Sequence, residues 1–557
     1  MDLTSVLLKV GGVTLVTRLT SLLRDILIAS VYGANQATDA FYISTRVPNM
    51  LRRASSDGAF NQAFLPLLTH YDVSDPEEAR RFAGCTAGAM AAALCCAAVA
   101  CGLCATWFNG SISPDLARAN VCSFGRAVYM LRAALPYSVA TSIGSVLACA
   151  LNAQRCYALP AFAPTILNGI FAAIVAVATA ITITPIYSLP WALVLGSAAQ
   201  CAAYFPALRS TRAMPADHLS DFLPWGHAGV RRVVSRLLPG LVTMAAVQAA
   251  LLLNTTLVSS MGEGLVSGIN YADKLLEFST GLYGSALGSI LLPCLARSCA
   301  ARDCAGYATL MDWGLSIVAL AAAPNALLFT LLPELPTAAS FNYGRFAAHT
   351  VKMVARPLAA YGPGMLGMLL SRTLAQGLYA KHDVSSPVVA SLLCILLSQA
   401  AGRLLRQPMG HAGLAMGSSI GAMLNAALLL RSLTCQEAYA IKSRHWASLC
   451  ARIASAAVAS TILSAIARSV DWVGLSVRPM HRACLAAAVL AIFVSAYSFI
   501  LWGMGLRMQW MREASCAASN TAKSNSTTVT ARQASASACA CGGGESQARR
   551  AVWARLA

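Results

Sequence analysis

The chain has 557 residues and a mass of 58.1 kDa, with 57% hydrophobic and 11% charged residues and a mean hydropathy of +0.61. An average soluble domain is roughly 25% charged, so the charges here are too few to cover a water-exposed surface, and hydrophobicity this high excludes disorder for most of the chain. The balance of 41 basic against 22 acidic residues would suggest nucleic acid in a soluble protein; in a membrane protein it follows from Lys and Arg kept in cytoplasmic loops, and no nucleic-acid partner is expected.

Long apolar runs such as 87–107 and 483–502 are of the length a spanning helix needs, about 20 residues. They do not show the short alternating strands of an outer-membrane barrel. About fourteen spans are predicted, centred near residues 18, 52, 95, 140, 170, 197, 247, 283, 322, 365, 396, 421, 457 and 493. The expected fold class is an all-α polytopic membrane protein.

Most spans avoid charge, as they should when a charge at a helix centre costs at least ~2.5–3.5 kcal/mol on insertion scales. The first span carries Arg18, Arg24 and Asp25, and the second carries Asp39, Arg46, Arg52, Arg53 and Asp57. The eighth carries Asp273, Lys274 and Glu277, and the tenth carries Arg372. Spacing sets their direction. Thr14, Arg18, Ser21 and Asp25 form one helical stripe; so do Arg46, Asn49, Arg53 and Asp57, and again Asn270, Lys274, Glu277 and Gly281. Arg24 lies about 80° or more off the first stripe, so Arg18 and Arg24 share a cavity only if the helix bends or the cavity is broad.

Such stripes face a wet cavity rather than lipid. A structural alternative pairs Arg24 with Asp25 and Arg53 with Asp57, and lets Arg52 and Arg53 snorkel to the headgroups. Pairing still leaves a surplus, because six Arg and one Lys face five acids. A basic cavity inside a bilayer needs an anion, and the arginine fork suits phosphate. The residues therefore point to a transporter or flippase of a phosphate-bearing substrate. Enzyme chemistry lacks support: there is no Gly-x-x-x-x-Gly-Lys-Ser/Thr loop and no His-Glu-x-x-His.

The 19 cysteines fall mostly inside apolar runs, where Cys behaves as a small hydrophobe. Cys539 and Cys541 lack a second ligand pair at zinc spacing, so no metal or other cofactor is expected. The stretch 515–544 is Ser, Thr, Ala, Asn and Gly and reads as a disordered tail.

Two segments echo each other. Asn152 to Pro160 and Tyr379 to Pro387 each lead into a span, and Ala37-Thr-Asp39 matches Tyr271-Ala-Asp273 at an offset near 230 residues. This suggests two pseudo-symmetric six-helix lobes plus two C-terminal helices, with a site between the lobes. The boundaries expected are 1–208, 209–434, 435–506 for the final pair and 507–557 for the basic tail. Loop charge favours both termini in the cytoplasm, since the inner loops then hold Arg80, Arg81, Arg155, Arg209, Arg231, Arg297 and Lys442, and the outer loops fewer, among them Arg345, Arg403 and Arg482.

Several segments carry a family resemblance: Thr17-Arg18, Arg24-Asp25, Tyr32-Gly33-Ala34, Ala37 to Phe41, Pro48 to Arg53, Gly58 to Pro66, Tyr271 to Phe278 and Met311 to Gly314. Over roughly residues 1–505 the chain resembles the MurJ (MviN) lipid II flippases of the MOP transporter superfamily. The resemblance implies fourteen helices in the bacterial cytoplasmic membrane and a central cationic cavity. It also implies a C-terminal helix pair lining a groove for the lipid tail. The implied activity is movement of undecaprenyl-pyrophosphate-linked peptidoglycan precursor from the inner to the outer leaflet, with lipid II and membrane lipids as partners and contacts to peptidoglycan-synthesis proteins.

Carried over by motif, Arg18, Arg24, Arg52, Arg53, Lys274, Asn49 and Asn168 would bind substrate. Asp25, Asp39, Glu277 and Asp57 would orient those cations or serve in gating. The family usually has Arg where this chain has Lys274, which loses the fork. Its sodium-binding acids in the seventh and eleventh spans are missing, so no sodium site is expected. Competing readings are another MOP exporter, for lipid-linked polysaccharide or drugs, a non-transporting scaffold of envelope synthesis, and a membrane transferase.

Overall fold

The computed structural model describes residues 3–503, apart from 57–59, 61–63, 66, 70, 72–74, 113–120, 155, 182–184, 212–227, 437–438, 440–442, 469, 471, 473 and 475–478. Asp57 and the tail 507–557 lie outside the described residues. The helices, in order, are α1 (Leu3–Tyr32), α2 (Gln36–Ser56), α3 (Pro76–Leu103), α4 (Ala105–Ile112), α5 (Val121–Ala153), α6 (Ala158–Ile181), α7 (Ser188–Ser210) and α8 (Ala228–Ser259). They continue with α9 (Leu265–Ala300), α10 (Cys304–Leu331), α11 (Glu334–Phe341), α12 (Ala348–Ala380), α13 (Ser385–Met409), α14 (His411–Cys435), α15 (Ser443–Arg468) and α16 (Pro479–Gly503). Among the described residues all regular structure is helical, and each of the helices named above except α4 and α11 has at least 21 residues. At 1.5 Å per residue that is enough to cross the hydrocarbon core. Fourteen long helices therefore match the expected span count, although the second is centred near 46 rather than 52.

Local signals set the helix ends. Asp75 accepts from the Glu77 amide at 2.8 Å with Pro76 in the first turn, and Asp303 accepts from the Gly306 amide at 2.8 Å, so both helix starts are capped by an aspartate. The helices flanking the charged ones are apolar on their outer faces, with Leu103 75% and Ile181 76% exposed. In a membrane protein that exposure is contact with lipid tails, which costs nothing.

The chain is built twice. The starts of α2 and α9, α3 and α10, α4 and α11, α5 and α12, and α6 and α13 fall at 36 and 265, 76 and 304, 105 and 334, 121 and 348, and 158 and 385. Packing repeats with them. In the first half α5 is central, against α2, α3 and α7, while α6 packs on α7 and on α1. In the second half α12 is central, against α9, α10 and α14, while α13 packs on α14 and on α8. The pair α15–α16 packs on itself and leans on the second half through α10 and α11.

Each half has a core of its own. Phe60, Phe64, Phe82, Val146 and Tyr204 pack together in the first, and Leu295, Tyr307, Met311, Leu374 and Leu433 in the second. A larger core joins the halves at one end, where Tyr32, Tyr42, Val266, Tyr271, Phe341 and Phe346 meet, and Val233 of α8 also packs into the first half's core. The two halves can tilt against each other about such limited contacts, because most of each half's own core need not repack.

Candidate functional site

The joined end is a seal, and the polar contacts that cross it centre on one acid, Asp39. Helix α9 begins with backbone N–H groups that have no partner within their own helix. Asp39, near the start of α2, supplies one from the other half. Its carboxylate accepts from the Gly264 amide at 2.6 Å, the Ser267 amide at 2.7 Å and Ser267 Oγ at 2.5 Å. The α9 dipole adds to the attraction. Ser267 also bonds Thr38 at 2.9 Å, and Tyr271 donates to the Gly33 carbonyl at 2.9 Å. Tyr42 meets Tyr271 edge-on at 5.7 Å. Asp39 and Ser267 are 228 residues apart, the repeat offset, so the pseudo-symmetry axis passes through the seal.

Close approach there requires glycine. Gly33 and Gly344 have φ of +71° and +58°, and a Cβ on Gly344 would sit 2.4 Å from the Ser30 carbonyl oxygen. The adjoining Arg345 amide donates to that same carbonyl at 2.8 Å.

Below the seal, α1, α2 and α9 turn their charged stripes into one cavity of about 280 Å³. Arg18, Arg24, Arg46, Arg52, Arg53 and Lys274 line it, against two carboxylates, Asp25 and Glu277. Asn49 and Asn270 add neutral polar groups, and Gln248 enters from α8. The expectation that Arg18 and Arg24 need a broad cavity is answered by where α1 lies. It packs between α6 and α9, so Arg24 reaches one wall and Arg18 the other.

Arg24 donates to Asp25 at 3.0 Å and to Asn168 on α6 at 3.1 Å, with its guanidinium 5.7 Å from the Phe171 ring centre. Asn168 is buried and holds Arg24 from behind. Arg18 lies flat against Gly281 of α9, where a Cβ would fall 2.8 Å from its Cζ. The sequence stripe that ended on Gly281 thus ends on the space Arg18 occupies. Arg46 bridges the halves, donating to Asn270 at 3.1 Å. Lys274 pairs with Glu277 at 2.8 Å on the α9 face, half-exposed to the cavity.

The structure brings Arg18, Arg24, Asp25, Asn49, Arg52, Arg53, Lys274 and Glu277 together around one cavity and places Asn168 one step behind. Asp39 stands apart at the seal and orients no cavity cation. Gln248 is an addition, and Arg46, which the sequence placed on a cavity-facing stripe, joins the residues at the cavity with Asn270 as its partner. Arg482, counted with the outer-loop charges, belongs to α16 and is wholly buried.

With this geometry in view, comparison with known proteins is specific. A family model described as "Lipid II flippase MurJ" matches residues 28–480. The lipid II flippase MurJ of Burkholderia cenocepacia is 38% identical over 515 residues, 92% of this chain and 99% of that protein. A probable lipid II flippase MurJ of Vibrio cholerae is 27% identical, covering 91% and 97%. Among solved structures, a lipid II flippase MurJ in an inward closed conformation superposes with a TM-score of 0.70 at 17% identity, over 87% of this chain and 98% of that one. A multidrug-resistance MATE transporter of the MOP superfamily, inward-facing, gives 0.64 at 12% identity, over 75% and 94%. The structural likenesses establish the fold, and the family model together with the end-to-end relative establishes that the chain belongs to the MurJ lipid II flippase family.

Proposed function

We propose that the protein is a lipid II flippase that carries the undecaprenyl-pyrophosphate-linked precursor across the cytoplasmic membrane for cell-wall synthesis, holding its pyrophosphate among the cavity cations. The observation that carries the reading is six cations against two carboxylates around a cavity inside the bilayer. That surplus is costly without an anion, and Arg fits phosphate oxygens two at a time. Arg18, Arg24, Arg52, Arg53 and Lys274 bind the pyrophosphate, with Asn49 beside it. Asn168 and Asp25 fix Arg24, Glu277 fixes Lys274, and Asp39 closes the seal.

Transport is alternating access between lobes 1–208 and 209–434, with 435–506 as the lipid-tail groove. Both termini lie in the cytoplasm, which puts the sealed end outside. The substrate is anionic, so outward movement runs with an inside-negative potential, at ~2.3 kcal/mol per charge per 100 mV.

The test is rescue of bacteria depleted of their own lipid II flippase, scoring lipid II exposed to an externally added lipid II-cleaving enzyme. The wild type should restore exposure, and Arg18→Ala should not. Restoration by both would remove the cavity as the binding site. Restoration by neither, with both inserted, would replace lipid II by another lipid-linked substrate.

A further inference from the structure

Arg482 lies 208 residues from the nearest cavity cation, Lys274, yet it is 0% exposed and is the largest wholly buried side chain among the described residues. It sits in the first turn of α16 and grips the loop joining α11 to α12. Its Nη2 donates to the Asn342 carbonyl at 2.6 Å. With the Asn342 amide oriented to satisfy both its neighbours, Asn342 Oδ1 accepts from Arg482 Nη1 at 2.9 Å and its Nδ2 donates to the Phe346 carbonyl at 3.1 Å. The guanidinium also stacks on Tyr343, 4.6 Å from the ring centre. A two-pronged grip of this kind needs the planar fork; a lysine makes one prong of it.

The gripped loop is the one that closes the seal. Its Gly344 and Arg345 meet Ser30 of α1, and Phe346 packs on Tyr271 at 5.7 Å. Asn342 closes the loop on itself between those two contacts.

We propose that Arg482 is a positioning residue for the seal: it shapes the 342–346 loop from α16, so that the C-terminal helix pair sets how firmly the two halves close. The role rests on the transport reading only for its use in the cycle; the grip itself acts in the empty protein. When the seal opens, the loop parts from Ser30 and stays with α16, and the C-terminal pair travels with the second half.

The test measures the seal directly. Spin labels carried by non-natural amino acids at Ser111 and His349, both exposed and in opposite halves, avoid the native cysteines. Distances between them are read by pulsed electron paramagnetic resonance on the full chain in liposomes without lipid II. Arg482→Gln should raise the separated-to-closed population ratio by roughly ten-fold or more, the factor for losing hydrogen bonds to a charged group. Arg482→Lys, which keeps the charge and the stem, should fall between Arg482→Gln and the wild type. Should Arg482→Gln fail to accumulate, Asn342→Ala removes one prong and should shift the ratio in the same direction. Distributions identical to wild type in the accumulating variants would overturn the proposal. Because no substrate is present, failure here is distinct from failure of lipid II rescue.

Discussion

The two halves pack alike and differ in chemistry, and the seam between the first and fifth spans of each half shows it best. In the first half, α1 meets α6 through Thr17 to the Ala161 carbonyl, Asn168 to Thr20 and Arg24 to Asn168. In the second, the matching seam of α8 and α13 has, among the described residues, a long contact from Gln399 to the Ala250 carbonyl at 3.5 Å, a bond from Arg406 to Ser260 just past the end of α8, and a neutral Gln248 facing the cavity. One repeat has its polar groups built around two arginines; the other supplies frame. In the second half the charged residues that line the cavity, Lys274 and Glu277, lie on α9, the helix that packs on both α1 and α2. A duplicated scaffold can thus place a single anion site off its symmetry axis while the seal stays on it.

The largest expected effect breaks the charged seam. Arg24→Ala leaves Asp25, 3% exposed, as a buried carboxylate without its ion pair, which costs about 3–5 kcal/mol. Lipid II exposure in the rescue assay should fall on the order of a hundred-fold, and the thermal midpoint of the purified protein should fall with it. Retained transport would show that the seam is scaffold in both halves.

Next comes the axis itself. Asp39→Ala removes three hydrogen bonds and the charge on the α9 N-terminus, about 2–3 kcal/mol of closure. The label distances across the seal should lengthen while an anion still binds the cavity. A change in binding with an intact seal would place Asp39 with the cavity cations instead.

The comparison sharpens with paired variants. Asn168→Ala loses a bond to a charged group and should cut transport roughly ten-fold; Gln399→Ala, on the matching seam of the second half, should change stability by less than about 0.5 kcal/mol and leave transport alone. Equal effects would mean the halves are functionally equivalent. A smaller change is expected at Gly281→Ala, where the new Cβ displaces the flexible end of Arg18: transport down about three-fold, thermal midpoint unmoved. Smallest of all, Lys274→Arg restores a fork and should tighten substrate binding by about two-fold in a titration with lipid II.

Much of this was legible along the chain. The stripes Arg18–Asp25, Arg46–Arg53 and Asn270–Gly281 all face the cavity, because a helix has a fixed period and lipid rejects charge. The repeat offset read from Pro160 and Pro387 recurs in five pairs of helix starts. Other features were not legible. Asp39 looks like one more member of a charged span until α9 is seen to begin on top of it. Arg482 looks like a loop charge until the 342–346 loop wraps its guanidinium. Arg46 showed its direction in the stripe and not its partner, Asn270.

The sequence by itself determined the class, the number of spans, the faces that must avoid lipid and the sign of the cavity, since each follows from transfer free energy and helical period acting residue by residue. The tertiary structure alone decided which charge meets which. Arg24 with Asn168, Asp39 with Ser267 and Arg482 with Asn342 are partners separated by 144, 228 and 140 residues. Those meetings depend on how two copies of one helical unit are stacked and tilted, a property of packing that no local period encodes.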